Sequence, residues 1–383
     1  MDRDFLTPRE SLKSNLWTII NSNKLVVINA SRRMGKTTLM RDMTDKPKDG
    51  FVPIWIDLQS AEDERGLTDN LYSYSRDRIK LFDKSKSKFN KWMCLLSELK
   101  LGPVTLPKLN SASWKSLAEM TINSLISCNK GKVVIFLDEL PLLLHKIMVN
   151  QNPNSAAEVL NFFRAMGEKN PQRLTLVYAG SLGLHHILNK LNNAIRENPP
   201  MVNTAFIYPI PTLEEDEGSV VAKLLFDEEG TGYDDQVLYR IWEHADGVPF
   251  YIRQITLSLF GAKQKLTVAD VDSIVQKMIG DANDLLHIEK DHFLRLQNSD
   301  YYENSIRDFV LNILDRVAQA DNGKLDEETL YNEVCRTEEE KKLFKSIISA
   351  LEKDHLLKMD DKVVEFMFSI VRRSWLQNKV VGR

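Results

Sequence analysis

Cysteine is scarce in this sequence of 383 residues. The three cysteines, Cys94, Cys128 and Cys335, are far apart, and no pair has the spacing of metal ligands. An odd number of cysteines is also a poor basis for a disulfide framework. These features argue against a disulfide-stabilised secreted domain, and we expect small buried cysteines in a reducing compartment.

Long hydrophobic runs and an excess of charge of either sign are also missing. The longest apolar runs, such as Val133–Leu137, are far too short to span a bilayer, and the charged N-terminal sequence has no apolar segment like that of a signal peptide. With 51 Lys and Arg against 54 Asp and Glu, the formal net charge is −3, so no global positive field attracts nucleic acid, although a local basic surface is still allowed. We therefore expect a cytoplasmic protein without a membrane partner.

The remaining composition is typical of a soluble globular protein, with 43% hydrophobic and 27% charged residues. A chain of this length exceeds one ordinary hydrophobic core, so two or three domains are expected. The order of the sequence patterns indicates where the chain divides.

In the first half of the chain, short apolar runs alternate with helical patterns, which predicts an α/β fold with a parallel sheet covered on both faces. The predicted strands are Leu25–Ile28, Phe51–Leu58, Val133–Leu137, Leu174–Ala179 and Ala205–Ile207. The predicted helices include Ser11–Ile20, Lys36–Met43, Trp114–Cys128 and Ala156–Lys169. Residues 60–113 interrupt the alternation with a Lys/Ser run and two prolines, and we predict an insertion there that could include a small hairpin.

After Pro209 the strand patterns end and helical periods continue to Ile279, with Thr212 and Thr267 in positions typical of N-caps. Further helical patterns follow, and residues 356–368 then predict two short strands about Asp360-Asp361. Three helices followed by such a hairpin indicate a winged helix-turn-helix. The predicted domains are a core at 1–209, a helical domain at 210–285 and a winged helix at 286–383.

A phosphate-binding loop is the most specific motif. It matches G-x-x-x-x-G-K-[ST] except at its first position, with the residues Ala30, Ser31, Arg32, Arg33, Met34, Gly35, Lys36, Thr37 and Thr38. Backbone N–H groups and the following helix would bind phosphate oxygens, Lys36 would reach the β- and γ-phosphates, and Thr37 would offer a hydroxyl to Mg²⁺. Alanine fits the tight turn at position 30 if its φ is negative. An ordinary turn with an exposed lysine is the alternative, but the motif lies between a predicted buried strand and a helix, as it requires.

Two carboxylates, Asp138 and Glu139, end the strand predicted at 133–137. At the carboxyl end of a parallel strand they would face the ligand crevice. Asp138 would hold Mg²⁺ and Glu139 would polarise the attacking water as a general base. A solvated strand end is the alternative, and the phosphate loop upstream favours the functional interpretation. Ser181, at the end of the next predicted strand, is a weaker candidate for orienting water or contacting the γ-phosphate.

Several motifs together resemble the archaeal and bacterial ATPases of the STAND branch of AAA+ proteins, and more distantly the origin-recognition type. They cover nearly the whole chain apart from the predicted insertion. The matching segments are Phe5…Pro8-Arg9-Glu10, Ala30–Thr38, Leu137–Pro141, Tyr178–Ser181, Phe206–Ile210, Asp246–Tyr251, Phe366–Phe368 and Arg372–Trp375.

The resemblance implies an ATP- or ADP-binding AAA+ core, a helical lid and a C-terminal winged helix. It implies that Pro249, in the Gly-x-Pro motif of the lid, packs near the base and sugar of the nucleotide, with Arg253 as an outside candidate for phosphate contact. A plain helix start is the other interpretation of this proline. An arginine acting from a neighbouring molecule is expected of a ring or filament ATPase; Arg164, Arg173 and Arg196 lie in the right region without an assigned role.

The leading functional hypothesis is a slowly hydrolysing ATP-driven switch that controls self-assembly or a protein partner. The alternative is a DNA-associated AAA+ ATPase, such as a loader or a helper in replication, transposition or defence against foreign DNA. The candidate recognition helix, Glu338–Lys353, has mixed charge, which favours protein contact over DNA. A third hypothesis, a structural subunit that never turns ATP over, is disfavoured because Thr37 and Glu139 are both present.

Overall fold

The computed structural model describes residues 9–80, 111–180, 183–195, 205–261, 265–281, 283–288, 292–296 and 304–380. The chain forms two compact units. The sheet unit comprises Glu10–Asn29 and Lys36–Pro209, and the C-terminal unit comprises Met1–Arg9, Ala30–Gly35 and Ile210–Arg383.

A five-stranded parallel sheet forms the centre of the sheet unit. Its strands are β1 (Leu25–Asn29), β2 (Phe51–Asp57), β3 (Lys132–Asp138), β4 (Leu174–Tyr178) and β5 (Phe206–Pro209). The spatial order is β2-β3-β4-β1-β5, and every neighbouring pair is parallel. All five predicted strands are confirmed, although the last begins and ends slightly later than predicted. Strands β3 and β4 are buried along almost their whole length, as their continuous apolar sequences require.

Helices alternate with these strands. Their bounds are α1 (Glu10–Ser22), α2 (Lys36–Asp45), α3 (Glu64–Lys80), α4 (Ser111–Cys128), α5 (Leu140–Asn150), α6 (Pro153–Lys169) and α7 (Leu184–Ala194). Two side chains hold the end of α1: Lys132 Nζ lies 2.9 Å from the Ile20 carbonyl oxygen, and the hydroxyl of the buried Thr175 donates to the same oxygen at 3.0 Å. Carbonyls at the end of a helix lack partners within the helix, so these bonds fix where α1 meets the sheet.

The first part of the segment predicted as an insertion, residues 60–113, contains a helix that the sequence patterns did not predict. Residues Glu64–Lys80 form helix α3, which packs against β2 and α4, and Leu67 and Leu71 are fully buried on it. These leucines have the four-residue spacing of one helix face, and the polar residues around them hid that pattern. Residues 81–110, where the Lys/Ser run and both prolines fall, lie outside the described residues.

The first part of the C-terminal unit is helical. Its helices are α8 (Glu215–Glu229), α9 (Asp235–His244), α10 (Pro249–Ser258) and α11 (Val268–Ile279). Thr267 is the N-cap of α11, with a capping box to Asp270, as predicted. Thr212 is not an N-cap: Glu214 caps α8 instead. The N–H of the intervening Leu213 donates to the Gly247 carbonyl (2.8 Å), which holds this segment outside the helix.

The last part of the chain combines helices with a small antiparallel sheet. After a helical turn at Leu294–Leu296 come α12 (Asn304–Gln319), a 3₁₀ turn at Asp321–Gly323, β6 (Lys324–Asp326), α13 (Glu327–Val334), α14 (Glu338–Lys353), β7 (Leu357–Asp360), β8 (Val363–Phe366) and α15 (Ser369–Val380). The strand order is β6-β8-β7. The predicted hairpin is confirmed, and its two-residue turn, Asp361-Lys362, has positive φ at both positions, as the tightest hairpin turns need.

A sharp turn at Asp246-Gly247 joins α9 to α10. The Asp246 carboxylate accepts hydrogen bonds from the backbone N–H groups of Ile370 (2.9 Å) and Ser369, which begin helix α15. Gly247 has φ +67°, and a Cβ at this position would lie 2.5 Å from the Leu213 carbonyl oxygen. The turn therefore needs glycine both for its conformation and for a close backbone approach.

In the described ranges, no helix is long and apolar enough to cross a membrane.

Substitution of Gly247 by alanine should destabilise the protein more than a left-handed backbone alone explains. Gly230→Ala is the matched control, because Gly230 also has positive φ (+75°) but open space around its missing Cβ. In both variants the free energy of unfolding should fall by roughly 1 kcal/mol, because alanine is disfavoured in a left-handed backbone conformation. Gly247→Ala should lose about 2 kcal/mol more, because its methyl group must displace backbone. Urea denaturation measures both values, and equal losses would contradict the close approach.

Asp246 should make stability depend on pH. Burial raises the pKa of its carboxyl to about 6 from an ordinary value of 3.8, against the hydrogen bonds from Ile370 and Ser369. Because the folded-state pKa is raised, this group stabilises the fold fully below pH 4, and the contribution is lost as pH rises through about 6. The two pKa values correspond to roughly 3 kcal/mol between those limits.

Asp246→Asn cannot titrate, so its free energy of unfolding should increase relative to the parent protein by about 2–3 kcal/mol between pH 4 and pH 7. Asp272→Asn is the control of opposite sign, because a hydrogen bond from Arg240 lowers the pKa of Asp272. Denaturant titrations at several pH values give both slopes. A constant difference between Asp246→Asn and the parent protein would rule out the raised pKa.

Candidate functional site

The loop between β1 and α2 contains two residues with a left-handed backbone. Arg33 (φ 68°) and Gly35 (φ 80°) are both left-handed, a conformation that turns successive N–H groups toward one side. No atom lies within 4 Å of a Cβ built on Gly35, so its conformation, more than crowding, requires glycine. Ala30 is not among the residues with positive φ in the described chain, so the conformational condition for alanine at the first position is met.

Helix α2 begins at the end of this loop. Lys36 is its first residue and is buried, while Thr37 is exposed. Leu39 and Met40 are buried one turn further on and fix α2 within the sheet unit. The positive end of the helix dipole therefore lies at the loop, where it favours an anion.

Two contacts in the C-terminal unit hold residues 30–35. The Arg9 guanidinium is buried and donates to the carbonyl oxygens of Met34 (3.2 Å) and Pro211 (3.0 Å). The Arg33 guanidinium lies 4.3 Å from the centroid of the Phe250 ring, within the range of a cation–π contact. Burial lowers the pKa of Arg9, although nearby Glu217 opposes this. Sequence reasoning assigned no role to Arg9 or Phe250, since neither contact follows from spacing along the chain.

Asp138 ends β3 as a buried carboxylate, only 3% exposed. Its Oδ2 atom accepts hydrogen bonds from the Thr37 hydroxyl (2.7 Å) and from Trp55 Nε1 (3.3 Å). Its Oδ1 atom accepts one from the Glu139 N–H (3.1 Å). Burial raises the pKa of Asp138; the hydrogen bonds from Thr37 and Trp55 oppose the rise, and the charges of Glu139 and Asp57 add to it.

Glu139 adopts a left-handed conformation (φ 59°) at the start of α5. This is uncommon for a residue with a Cβ, and such strain is concentrated at functional sites. Pro141 follows in the first turn of the helix, and a Cβ on Gly180 would lie 2.7 Å from its Cδ atom. The glycine after β4 thus gives the Glu139 turn the space that it needs.

Trp55 is a site residue that sequence reasoning missed. It lies on β2, two residues before Asp57, which is the register partner of Asp138. Successive residues of a strand alternate between faces, so Trp55 and Asp57 share a face of the sheet. Only the alignment of β2 with β3 places the indole beside Asp138, and nothing in the local sequence of β2 predicts that alignment.

The other candidate residues from the sequence lie in different places, and two of them are outside the described part of the chain. Pro249 begins helix α10 and is half-buried, which agrees with its interpretation as a helix start. Ser181 and Arg196 lie outside the described residues. Arg164 is within 3.5 Å of Glu168 as an ion pair, and Arg173 donates to the Ile126 carbonyl oxygen (2.8 Å), so each has a local partner in the sheet unit.

The oxygen atoms at the Thr37–Asp138 contact suit a small divalent cation. A hydroxyl and a carboxylate are hard oxygen donors of the kind that Mg²⁺ prefers. A carboxylate buried to this degree is also stabilised by a cation. The donor set at this position therefore fits Mg²⁺.

No protein-family model matches this chain, and no curated protein sequence does. Among solved structures, the Walker-type ATPase PABY2304 of Pyrococcus abyssi is similar, with a TM-score of 0.62 and 16% identity over 98% of this chain and 97% of that one. The ORC2 protein of Aeropyrum pernix (TM-score 0.46, 14% identity, 98% and 96% coverage) and Cdc6p of Pyrobaculum aerophilum (0.42, 13%, 98% and 96%) are more distant.

The similarity to the Pyrococcus structure extends over nearly the full length of both chains. It concerns the fold, since so few residues are identical. The chain therefore shares the α/β fold of that structure, and the parallel sheet predicted for its first half has five strands.

Proposed function

We propose that this chain is an ATP-driven molecular switch of the STAND branch of AAA+ proteins, which hydrolyses ATP slowly and controls self-assembly or a protein partner. The hydrogen bond between Thr37 and Asp138 (2.7 Å) is the observation that carries the proposal. It joins the residue after the loop lysine to the acid that ends β3, the pair that holds Mg²⁺ in P-loop ATPases.

Residues Ala30–Thr38 would bind the phosphates of the nucleotide. The left-handed residues at 33 and 35 support this role, because they direct backbone N–H groups toward an anion. Lys36 would contribute a positive charge to the β- and γ-phosphates. Thr37 and Asp138 would hold Mg²⁺, which would neutralise charge on the phosphate oxygens.

Glu139 would act as the general base. It follows the proposed Mg²⁺ carboxylate directly, and its backbone is left-handed (φ 59°) between the end of β3 and the start of α5. As a base it would accept a proton from the attacking water. Ser181, which follows β4, would orient that water or contact the γ-phosphate.

The contacts made by residues 30–35 support the proposed switch. Arg33 lies over Phe250 on α10, and Arg9 joins Met34 to Pro211. Asp246, in the turn before α10, holds the first residues of α15. A change in the loop between ATP and ADP would therefore act directly on contacts of the C-terminal unit, provided that the two nucleotides bind its conformations with different affinities. Pro249, the first residue of α10, is the proposed contact for the base and sugar.

The segment from α12 to α15 would be the partner-binding module. Its helices and its β7–β8 hairpin are typical of a winged helix-turn-helix. Three glutamates, Glu338–Glu340, occupy the first turn of α14, the end of a recognition helix that contacts bases in DNA-binding relatives of this module. Acidic residues repel the DNA backbone, so a protein partner is favoured over the DNA-associated alternative.

Lys36→Ala should abolish nucleotide binding, with affinity for ATP weakened by at least roughly 100-fold, because a charge-assisted contact with the phosphates is lost. Lys46→Ala is the matched control: Lys46 follows α2 and is 67% exposed, paired with Asp42 at 3.3 Å. Isothermal titration calorimetry compares the two variants. Unchanged affinity in Lys36→Ala would overturn the site.

Glu139→Gln should bind ATP normally and release phosphate about 100- to 10,000-fold more slowly, because the amide cannot accept the proton. Glu62→Gln is the control, since Glu62 is an exposed partner of Lys146 (2.7 Å). Phosphate release measured under single-turnover conditions distinguishes the two variants. Hydrolysis at the parent rate in Glu139→Gln would remove the proposed role of this residue.

The same variant tests the switch, because it should hold ATP without consuming it. Light scattering of Glu139→Gln with ATP and with ADP, and of the parent protein without nucleotide, should show a mass that depends on the nucleotide. A constant monomer mass in all these states would contradict self-assembly as the output.

A further inference from the structure

Trp55 contacts the proposed Mg²⁺ carboxylate from a strand that contributes no other residue to the proposed site. Its Nε1 atom lies 3.3 Å from Asp138 Oδ2, the same oxygen that accepts the bond from Thr37. The two donors differ chemically. A hydroxyl has lone pairs and can become a cation ligand, whereas an indole N–H is a donor only.

This difference separates their roles when a cation binds. Thr37 would give its oxygen to the cation, while the indole could do nothing except continue to donate to the carboxylate. A carboxylate held by a fixed donor presents its remaining lone pairs in a defined direction, and such orienting partners contribute substantially to metal affinity.

The indole itself is held in place by two neighbours. The Arg41 guanidinium lies 4.2 Å from the centroid of the Trp55 ring, and Tyr74 meets the ring edge-on at 5.7 Å. Arg41 is on α2, four residues after Thr37, so it lies on the same face of that helix. One helix therefore provides both the proposed cation ligand and the group that stacks on the orienting indole.

We propose that Trp55 is a positioning residue for Mg²⁺: its indole N–H orients the Asp138 carboxylate toward the cation. The inference rests on the proposed function, because it requires a Mg²⁺-nucleotide site at Thr37 and Asp138. On this proposal, Trp55 on β2 contributes to how strongly the site binds the cation.

Trp55→Phe removes the N–H and keeps an aromatic ring between the neighbours. Calorimetric titration with a non-hydrolysable ATP analogue, at a series of Mg²⁺ concentrations and in EDTA, separates cation binding from nucleotide binding. We expect the Mg²⁺ concentration for half-maximal enhancement of affinity to rise about 10-fold or more, the usual effect of losing an orienting partner. Affinity in EDTA should be unchanged.

Trp114→Phe is the matched control. Trp114 is buried against Phe162 (5.3 Å), and within the described part of the chain its Nε1 atom has no hydrogen-bond partner. This variant loses the same chemical group without affecting the site, so its Mg²⁺ dependence should equal that of the parent protein. Replacement of Trp55 by benzothienylalanine, in which sulfur takes the place of the N–H, keeps the full size of the ring and should reproduce the effect of Trp55→Phe.

The outcomes separate the two proposals. If the parent protein shows no Mg²⁺-dependent nucleotide binding, the proposed function fails. If the parent protein shows it, and both Trp55 variants have the parent's Mg²⁺ dependence, the role of Trp55 is wrong while the nucleotide site stands. A shift in the Trp114→Phe control as large as that in Trp55→Phe would also overturn it, since the effect would then be general.

Discussion

The buried carboxylate of Asp138 is the constraint on which the site is built. A carboxylate removed from water must be compensated by hydrogen bonds or by a cation, or it becomes protonated. Thr37, Trp55 and the Glu139 N–H supply three hydrogen bonds, one each from α2, from β2 and from the residue after β3. The hydrogen bonds to this one carboxylate therefore fix the start of α2 relative to strands β2 and β3.

A second constraint lies in the C-terminal unit, at the turn that joins α9 to α10. Gly247 lets the backbone approach Leu213, Asp246 caps α15, and Phe250, the second residue of α10, lies under Arg33. Asp246 and Gly247 both have positive φ, so all three contacts are made by residues in or next to one tight left-handed turn. The turn at Asp246-Gly247 therefore links α15 to the helix whose Phe250 contacts the loop at residues 30–35. Because this turn has little conformational freedom, movement of the loop and movement of α15 are expected to be coupled.

Much of the fold and part of the candidate site could be predicted from the sequence. The strands were recognisable because a buried parallel strand is continuously apolar, and the loop because its residues are contiguous. Helix α3 was missed because Leu67 and Leu71 stand among polar residues. Trp55 and Arg9 were missed for a different reason: their partners are 83 and 25 or 202 residues away, so strand register and tertiary burial decide their roles. The sequence of one segment does not show which residues from a distant segment will contact it in the fold.

The strength of the proposed switch can be bounded from these contacts. A cation–π pair such as Arg33 with Phe250 contributes about 0.5–2 kcal/mol, which changes an equilibrium by at most roughly 30-fold. Moving a population from 1:99 to 99:1 needs about 5.5 kcal/mol. The cation–π pair alone is therefore too weak for a complete switch.

Arg9 is the natural second contributor, because its buried guanidinium donates hydrogen bonds to Met34 in the loop and to Pro211 beyond it. Breaking a buried charged hydrogen bond costs about 1.5–3 kcal/mol. Loop movement that breaks both contacts together would approach the required difference, whereas movement that breaks one would only tune the equilibrium.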